Sequence, residues 1–372
     1  MPLIAIDARM ITASGIGVYL RNIISRLFKE HTLVLLGDED LIRTFYDKHN
    51  VDTLPCHARI YSLQEQIELS RQIPSCDLFW SPHYNIPLLP IPAKKRVVTI
   101  HDTYHLAFRH TLSFPQKVFA NVFLRQAVMR SNQIITVSEF SKAEIVKYTH
   151  AKSSKVQVIP NAVDFKTFHA NKEDHDRTYL AGLLPQLPEH YILYVGNVKP
   201  HKNITTLLKA YLRLPEALKQ KYKMVIVGQR EGFLTPDHSI AELFTNCPEL
   251  ERQTFFTGFV PEEILALLYR HASLFVFPSI YEGFGLPPLE AMASGCPVVA
   301  SNAASIPEIC GPAALYFSPL SIEELRQQIE KVLGNAQVQQ ALIETGLAHC
   351  QEFSWQKAAN QHIALFNQIL SA

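Results

Sequence analysis

The 372 residues include six cysteines, at 56, 76, 247, 296, 310 and 350, and no two of them form a C-x-x-C pair. Nor does any spacing suit zinc or a disulfide framework, so they read as reduced thiols of a cytoplasmic protein. Long apolar runs are missing as well. Lys223-Met-Val-Ile-Val-Gly228 is typical of those present, far short of the roughly 18 residues a membrane span needs, so any membrane contact is expected to be peripheral. One-sided charge is missing too: 35 Lys and Arg against 34 Asp and Glu leave +1, which excludes the global basicity of a nucleic-acid binder. No low-complexity tract or short internal repeat interrupts the chain. The opening Met-Pro-Leu-Ile-Ala-Ile-Asp has no basic stretch and reaches a charge at Asp7, so it reads as a strand and not a signal peptide.

What is present is ordinary globular material, 47% hydrophobic and 19% charged, with length for two domains of roughly 100–200 residues each. Short, almost purely apolar strands alternate with helical stretches. The first series is Leu3–Asp7, Leu33–Leu36, Leu78–Ser81, Arg96–His101, Gln133–Val137 and Val156–Pro160. The second is Tyr191–Gly196, Lys223–Gly228, Thr254–Gly258, Leu274–Pro278, Pro297–Ser301 and Ala314–Phe317. Strands buried on both faces with helices between them predict two doubly wound parallel sheets. The polar, irregular segment Asn161–Pro188, with the charge cluster Asn171–Arg177, reads as the linker. Charge divides unevenly about this point: residues 1–168 carry 20 Lys and Arg against 14 Asp and Glu, and the remainder 15 against 20. The basic half includes Gln116–Ser131, where Val118, Phe119, Val122 and Phe123 alternate with Lys117, Arg125 and Arg130. Such a helix suits an anionic bilayer, and equally suits packing on its own sheet.

Three segments carry chemistry. Gly15-x-Gly17, after the first strand, offers amides at a helix start to an anion or sugar. The same glycines serve a simple tight turn, and Leu20 replaces the third glycine of a complete dinucleotide fingerprint. With the bare apolar end at Leu33–Gly37, this argues against a nicotinamide dehydrogenase. After strand Tyr191–Gly196, Asn197-Val-Lys-Pro-His201-Lys202-Asn203 presents Lys202 at the mouth of a helix that Asn203 is expected to cap, where a phosphate can be met. The most informative segment is Glu282-Gly283-Phe284-Gly285-Leu286-Pro-Pro-Leu-Glu290. Its glycines and prolines lead into a helix with Glu290 expected in the first turn, so two carboxylates flank free amides. A nucleotide sugar requires that set: amides and helix dipole for the diphosphate, acceptor carboxylates for paired hydroxyls.

These segments together resemble the retaining glycosyltransferases of family 4 over the whole length. The family's E-x7-E element matches Glu282 to Glu290, its basic turn His201-Lys202-Asn203, and its glycine loop Gly15-Ile-Gly17. The resemblance implies an α/β GT-B architecture, two facing Rossmann-like doubly wound parallel-sheet domains with a cleft between them. It places the domains at 1–168 and 169–354, with a terminal helix 355–372 crossing back to the first after Phe353-Ser-Trp355. His101, beside Asp102 at the end of the fourth expected strand, is implied near the transferred sugar, and Phe259 near the base. His101, Lys202 and Glu282 are thereby the candidate catalytic residues. The candidate donor-binding residues are Gly15, Gly17, Asn197, His201, Lys202, Phe259, Glu282, Gly283, Phe284, Gly285, Leu286 and Glu290. Relatives often carry an arginine where Asn197 or His201 stands, which puts more of the phosphate charge on Lys202. The implied reaction moves a sugar with retention, GDP-mannose being the favoured donor and a lipid-linked or other oligosaccharide the acceptor. The pathway is surface polysaccharide synthesis at the inner leaflet, and no metal cofactor is expected. A sugar-nucleotide epimerase of the same fold and a silent sugar-nucleotide binder are the alternatives, although the second would be expected to have lost Lys202, Glu282 or Glu290.

Overall fold

The computed structural model describes residues 1–47, 51–173, 175–228 and 238–372. Asp174, in the charge cluster 171–177, lies outside them. Contacts divide the chain into Met1–Asn161 with Ser354–Ala372, and Ala162–Phe353.

The first unit has seven parallel strands: β1 (Leu3–Asp7), β2 (Thr32–Gly37), β3 (Asp52–Pro55), β4 (Cys76–Ser81), β5 (Ala93–Thr99), β6 (Gln133–Thr136) and β7 (Val156–Val158). They are ordered β3-β2-β1-β4-β5-β6-β7. The central strands are apolar because both faces are covered: Ala5 packs with Leu69 and Phe79 under one layer, and Val98 with Leu124 and Ile145 under another. Strand β3 was not expected. It is an edge strand, Asp-Thr-Leu-Pro, part-exposed along its length and closed by a proline, so neither alternation nor an apolar run marks it in the sequence.

The second unit has six parallel strands: β8 (Tyr191–Val195), β9 (Lys223–Val227), β10 (Thr254–Gly258), β11 (Leu274–Phe277), β12 (Val298–Ser301) and β13 (Ala314–Phe317). Their order is β10-β9-β8-β11-β12-β13. In both sheets the order turns back after the first strand of the unit, between β1 and β4 and between β8 and β11. In doubly wound sheets the loops that leave the carboxyl ends of such neighbours are the usual place for a ligand.

The expected linker is more structured than its polarity suggested. Residues Asp176–Leu183 form a helix, and its Asp176 is locked to the buried Arg270 guanidinium at 2.8 Å. Arg270 also donates to the His169 carbonyl (3.0 Å), and Phe168 packs edge-on against Tyr269. These contacts draw residues 162–168 into the second unit, so the division falls after Asn161 and not after 168. Ser354 likewise goes with the final helix.

That helix, Trp355–Ser371, is fastened to the first unit by a buried polar chain. His362 Nδ1 lies 2.7 Å from the Ala358 carbonyl, which can only accept, so Nε2 is the bare nitrogen. Tyr19 Oη donates to that Nε2 at 2.6 Å. Thr99 Oγ1 accepts from Trp80 Nε1 (3.0 Å) and donates to Tyr19 Oη (3.0 Å). Every donor and acceptor in the chain is used, and burial pushes the His362 imidazole down to about 4, which keeps it neutral. His362→Ala leaves the Tyr19 hydroxyl unpaired beside a cavity, and should lower stability by about 2–4 kcal/mol in urea unfolding. An unchanged midpoint would show that the helix is held by its apolar face alone.

Candidate functional site

In the second unit the loops after β8 and β11, strands that pair with each other, come together. After β8 the chain forms a tight turn over Pro200–Lys202 and then the helix Ile204–Leu212. After β11 it passes through Gly283 to Gly285 into the helix Leu286–Ala293. Lys202 Nζ lies 2.6 Å from Glu282 Oε1, with both side chains largely shielded. The Ile280 amide donates to the His201 carbonyl at 2.8 Å, which ties the loops a second time.

Asn203 does more than the cap expected of it, and by another route. Its backbone is left-handed at φ 57 and its side chain makes no cap bond to the helix. Instead Nδ2 donates to the Pro278 carbonyl (3.0 Å) and the Pro319 carbonyl (2.6 Å), while Oδ1 accepts from Thr206 (2.7 Å). An asparagine tolerates that backbone, and here it joins the segments after β8, β11 and β13. Ser305 completes the frame by donating to the carbonyls of Glu282 and Phe284, each at 2.9 Å. No sequence signal marked Ser305, because it acts from a loop 21 or more residues away.

The helix Leu286–Ala293 opens at Gly285, whose φ of 103 is one that L side chains rarely adopt. Prolines 287 and 288 carry no N–H, so the amides that precede the helical ladder are those of Gly285 and Leu286. Glu290 is the fifth helical residue, just past the first turn where it was expected. Tyr269 Oη donates to its Oε2 at 3.1 Å. Burial raises the carboxyl to about 7, against the Tyr269 hydrogen bond and with a small push from Glu262. Phe259, just after β10, stands 83% exposed as an uncovered aromatic face, and Asn197 is exposed after β8.

Gly15 and Gly17 lie inside the opening of the helix Ser14–Leu27, which has no side-chain cap. Gly15 is exposed and Gly17 buried. A Cβ on Gly17 would stand 2.5 Å from the Ile11 carbonyl oxygen, so this glycine serves close packing of the loop on the helix, and only Gly15 presents an open backbone. His101 lies two residues beyond the end of β5. Its Nε2 donates to the Pro82 carbonyl at 3.0 Å, Tyr19 meets the ring edge-on at 5.0 Å, and burial lowers its pKa. The neutral ring thereby keeps Nδ1 as its acceptor.

The site reading missed Arg9 and Glu65. Arg9 forks onto Asp7 through two bonds of 2.8 and 2.7 Å and reaches Glu65 at 2.7 Å. Glu65 also accepts from Asn85 (2.6 Å) and from the Tyr61 amide (2.7 Å). This buried cluster fixes the loops after β1 and β4. The spacing Asp7-x-Arg9 was its visible signal, and Glu65 sits 56 residues further on.

Two Asp-x-Asp spellings occur, at Asp38–Asp40 and Asp174–Asp176. Asp38 caps the helix Glu39–Tyr46 by accepting from the Leu41 amide (3.1 Å), and Asp176 is the partner of Arg270.

The family profile "Glycosyltransferase Family 4" matches residues 13–167, and "Glycosyl transferases group 1" matches 178–349. The O-antigen chain mannosyltransferase B of Escherichia coli is 31% identical over 281 residues, covering 74% of this chain and 71% of that protein. A serotype-specific mannosyltransferase WbdA of Escherichia coli is 33% identical over 360 residues, 91% of this chain. The chain spans only 29% to 42% of the length of three such WbdA proteins. Among solved structures, a sucrose-phosphate synthase from Thermosynechococcus elongatus superposes with a TM-score of 0.79 at 19% identity. It covers 100% of this chain and 99% of that one, and shares the fold.

Glu290 gives a signed pH test. Its pKa of about 7 means that the acceptor carboxylate is formed only as pH rises through neutrality. Hydroxyls that donate to the charged form must draw it down, so nucleoside diphosphate affinity should rise between pH 6 and 8, by up to about tenfold per unit below that pKa. Glu290→Gln should flatten this rise in calorimetric titrations. An equal rise in the variant would assign the proton to another group.

Proposed function

Because this chain belongs to glycosyltransferase family 4, we propose that it transfers a mannosyl residue from GDP-mannose to a hydroxyl of a lipid-linked or other oligosaccharide acceptor, with retention at the anomeric carbon. The observation that carries this reading is the joining of the loops after β8 and β11 by Lys202 and Glu282, 2.6 Å apart. The second of these loops leads through the Gly285 and Leu286 amides into the helix that carries Glu290. Those groups suit a sugar nucleotide in order along its length. Glu290 accepts from the ribose hydroxyls, Lys202 and the two amides face the diphosphate, and Glu282 accepts from the sugar. The exposed Phe259 suits the base. His101 is assigned to a sugar hydroxyl through Nδ1, and Gly15 to a phosphate or sugar contact. Asn197, His201, Gly283 and Phe284 border the same donor groups. Mannose is favoured because the relatives above are named mannosyltransferases.

The anomeric carbon–oxygen bond to the diphosphate breaks, the acceptor oxygen bonds to that carbon from the same face, and its proton passes to the departing phosphate oxygen. Positive charge spreads over the sugar ring while negative charge grows on the diphosphate. A single well-placed donor to such an oxygen contributes about 3–4 kcal/mol, which is the part assigned to Lys202; the reading gives a metal no role. Among the described residues no helix is long and apolar enough to cross a membrane. We place the protein in the cytoplasm, with the basic first unit meeting an anionic inner leaflet where a lipid-linked acceptor would lie.

Lys202→Ala should lower turnover by about a hundredfold or more. A rise in the Michaelis constant alone would make Lys202 a binding residue only. A thermal-shift series with GDP, UDP and ADP tests the base. GDP should raise the melting temperature most, since a hundredfold excess over the dissociation constant stabilises by roughly 2.7 kcal/mol, and a larger response to UDP would replace the donor assignment. Incubating donor without acceptor separates the enzymes. Slow hydrolysis at most fits a transferase, and an altered sugar on the intact nucleotide would mean an epimerase.

A further inference from the structure

Ser305 sits where the chain leaving β12 turns into the short helix Ile306–Cys310. It is fully buried, and its hydroxyl stands 2.9 Å from two carbonyls of one loop, those of Glu282 and Phe284. A hydroxyl carries one proton, so the two carbonyls share it in a three-centre bond. The residue before it, Ala304, has a φ of 54, a left-handed backbone that costs an alanine and would cost a glycine nothing. Such a residue persists only where its surroundings over-determine it, and the bond made by its neighbour Ser305 supplies part of that hold.

The consequence falls on the far side of a peptide. No cis peptide bond occurs among the described residues, and in a trans unit the carbonyl and the N–H point in opposite directions. The Phe284 carbonyl and the Gly285 N–H belong to one such unit. Drawing that carbonyl to the buried Ser305 therefore turns the Gly285 N–H the other way. Gly285 does not choose this orientation by itself, because glycine enters either sign of φ about equally well. The other end of the unit is anchored. The Phe284 ring meets Phe353 edge-on at 6.0 Å, Phe353 meets His349 at 5.5 Å, and His349 Nε2 donates to the Ile309 carbonyl at 2.8 Å. Ile309 lies in the helix that Ser305 opens, so these contacts close a ring through the second unit. With Phe284 pinned by its side chain, the Ser305 hydroxyl is the contact that selects one orientation for the peptide that follows.

We propose that Ser305 is a positioning residue for the donor diphosphate: its hydroxyl fixes the Phe284–Gly285 peptide so that the Gly285 N–H is aimed at phosphate oxygens before a ligand arrives. This role rests on the donor reading of the loop and adds to it a residue that touches no substrate. Removing the hydroxyl lets the peptide rotate, and part of the binding energy must then re-order it. Glu290 and Phe259, assigned to the ribose and the base, make no bond to Ser305, so the loss is confined to the diphosphate.

The test compares GDP with guanosine on the full chain, by calorimetry for the nucleotide and ligand-observed NMR for the nucleoside, with UDP and uridine as a parallel pair. Ser305→Ala should weaken GDP by about tenfold, the size of one lost hydrogen bond to a charged group, and guanosine by less than about twofold. Ser305→Cys keeps nearly the same volume with a weaker donor, and should show the same selective loss to a smaller extent. It carries the decision if the alanine variant does not fold. Unchanged GDP affinity, or GDP and guanosine weakened alike, overturns the role of Ser305 and leaves the donor reading standing. A wild-type protein that binds neither GDP nor UDP refutes the donor reading, and this role with it.

Discussion

The contact on which the second unit's site depends is the 2.6 Å pair between Lys202 and Glu282. Each residue belongs to a loop that follows one of the two strands at which the sheet reverses its order. A parallel sheet sends such loops to the same edge, but does not hold them in register. The ion pair, the Ile280 amide on His201, and Asn203 with its bonds to Pro278 and Pro319 do that. Partial burial makes the pair more than a surface ion pair, and removing one partner would leave the other charge shielded and unmatched. The geometry is therefore set before any ligand arrives, so less of the binding energy goes into ordering the loops.

Glu290 is governed by a different constraint. It sits within its helix facing Tyr269, in surroundings dry enough to bring its carboxyl to about 7. A carboxylate held at the edge of protonation gains most from hydroxyl donors, because they replace the water it has lost. Glu282 lies instead at the cation. Two glutamates eight residues apart thus have unlike surroundings, one set by charge and the other by burial.

The sequence made the strand series legible because buried parallel strands are nearly pure apolar runs. All twelve expected strands appear, with ends shifted by at most three residues. It hid β3, an exposed edge with a terminal proline, and the helix Asp176–Leu183, which is stabilised by Arg270 almost a hundred residues away. Lys202, Glu282 and Glu290 were visible as residue types at a spacing. Their supports, Asn203 through its side chain, Ser305 and Tyr269, act across the fold and leave no local pattern. The same holds for Arg9 with Glu65. Gly17 shows the opposite limit: the sequence marks a glycine, while only the 2.5 Å approach of the Ile11 carbonyl shows that packing requires it.

The donor reading requires a nucleoside diphosphate to bind at the loops after β8 and β11. Amide hydrogen exchange with and without saturating GDP tests this residue by residue. Exchange should slow chiefly in two segments, residues 197–204 and 280–291, with Gly285 and Leu286 among the most protected amides. Protection that leaves both segments unchanged and appears elsewhere in the chain would contradict it.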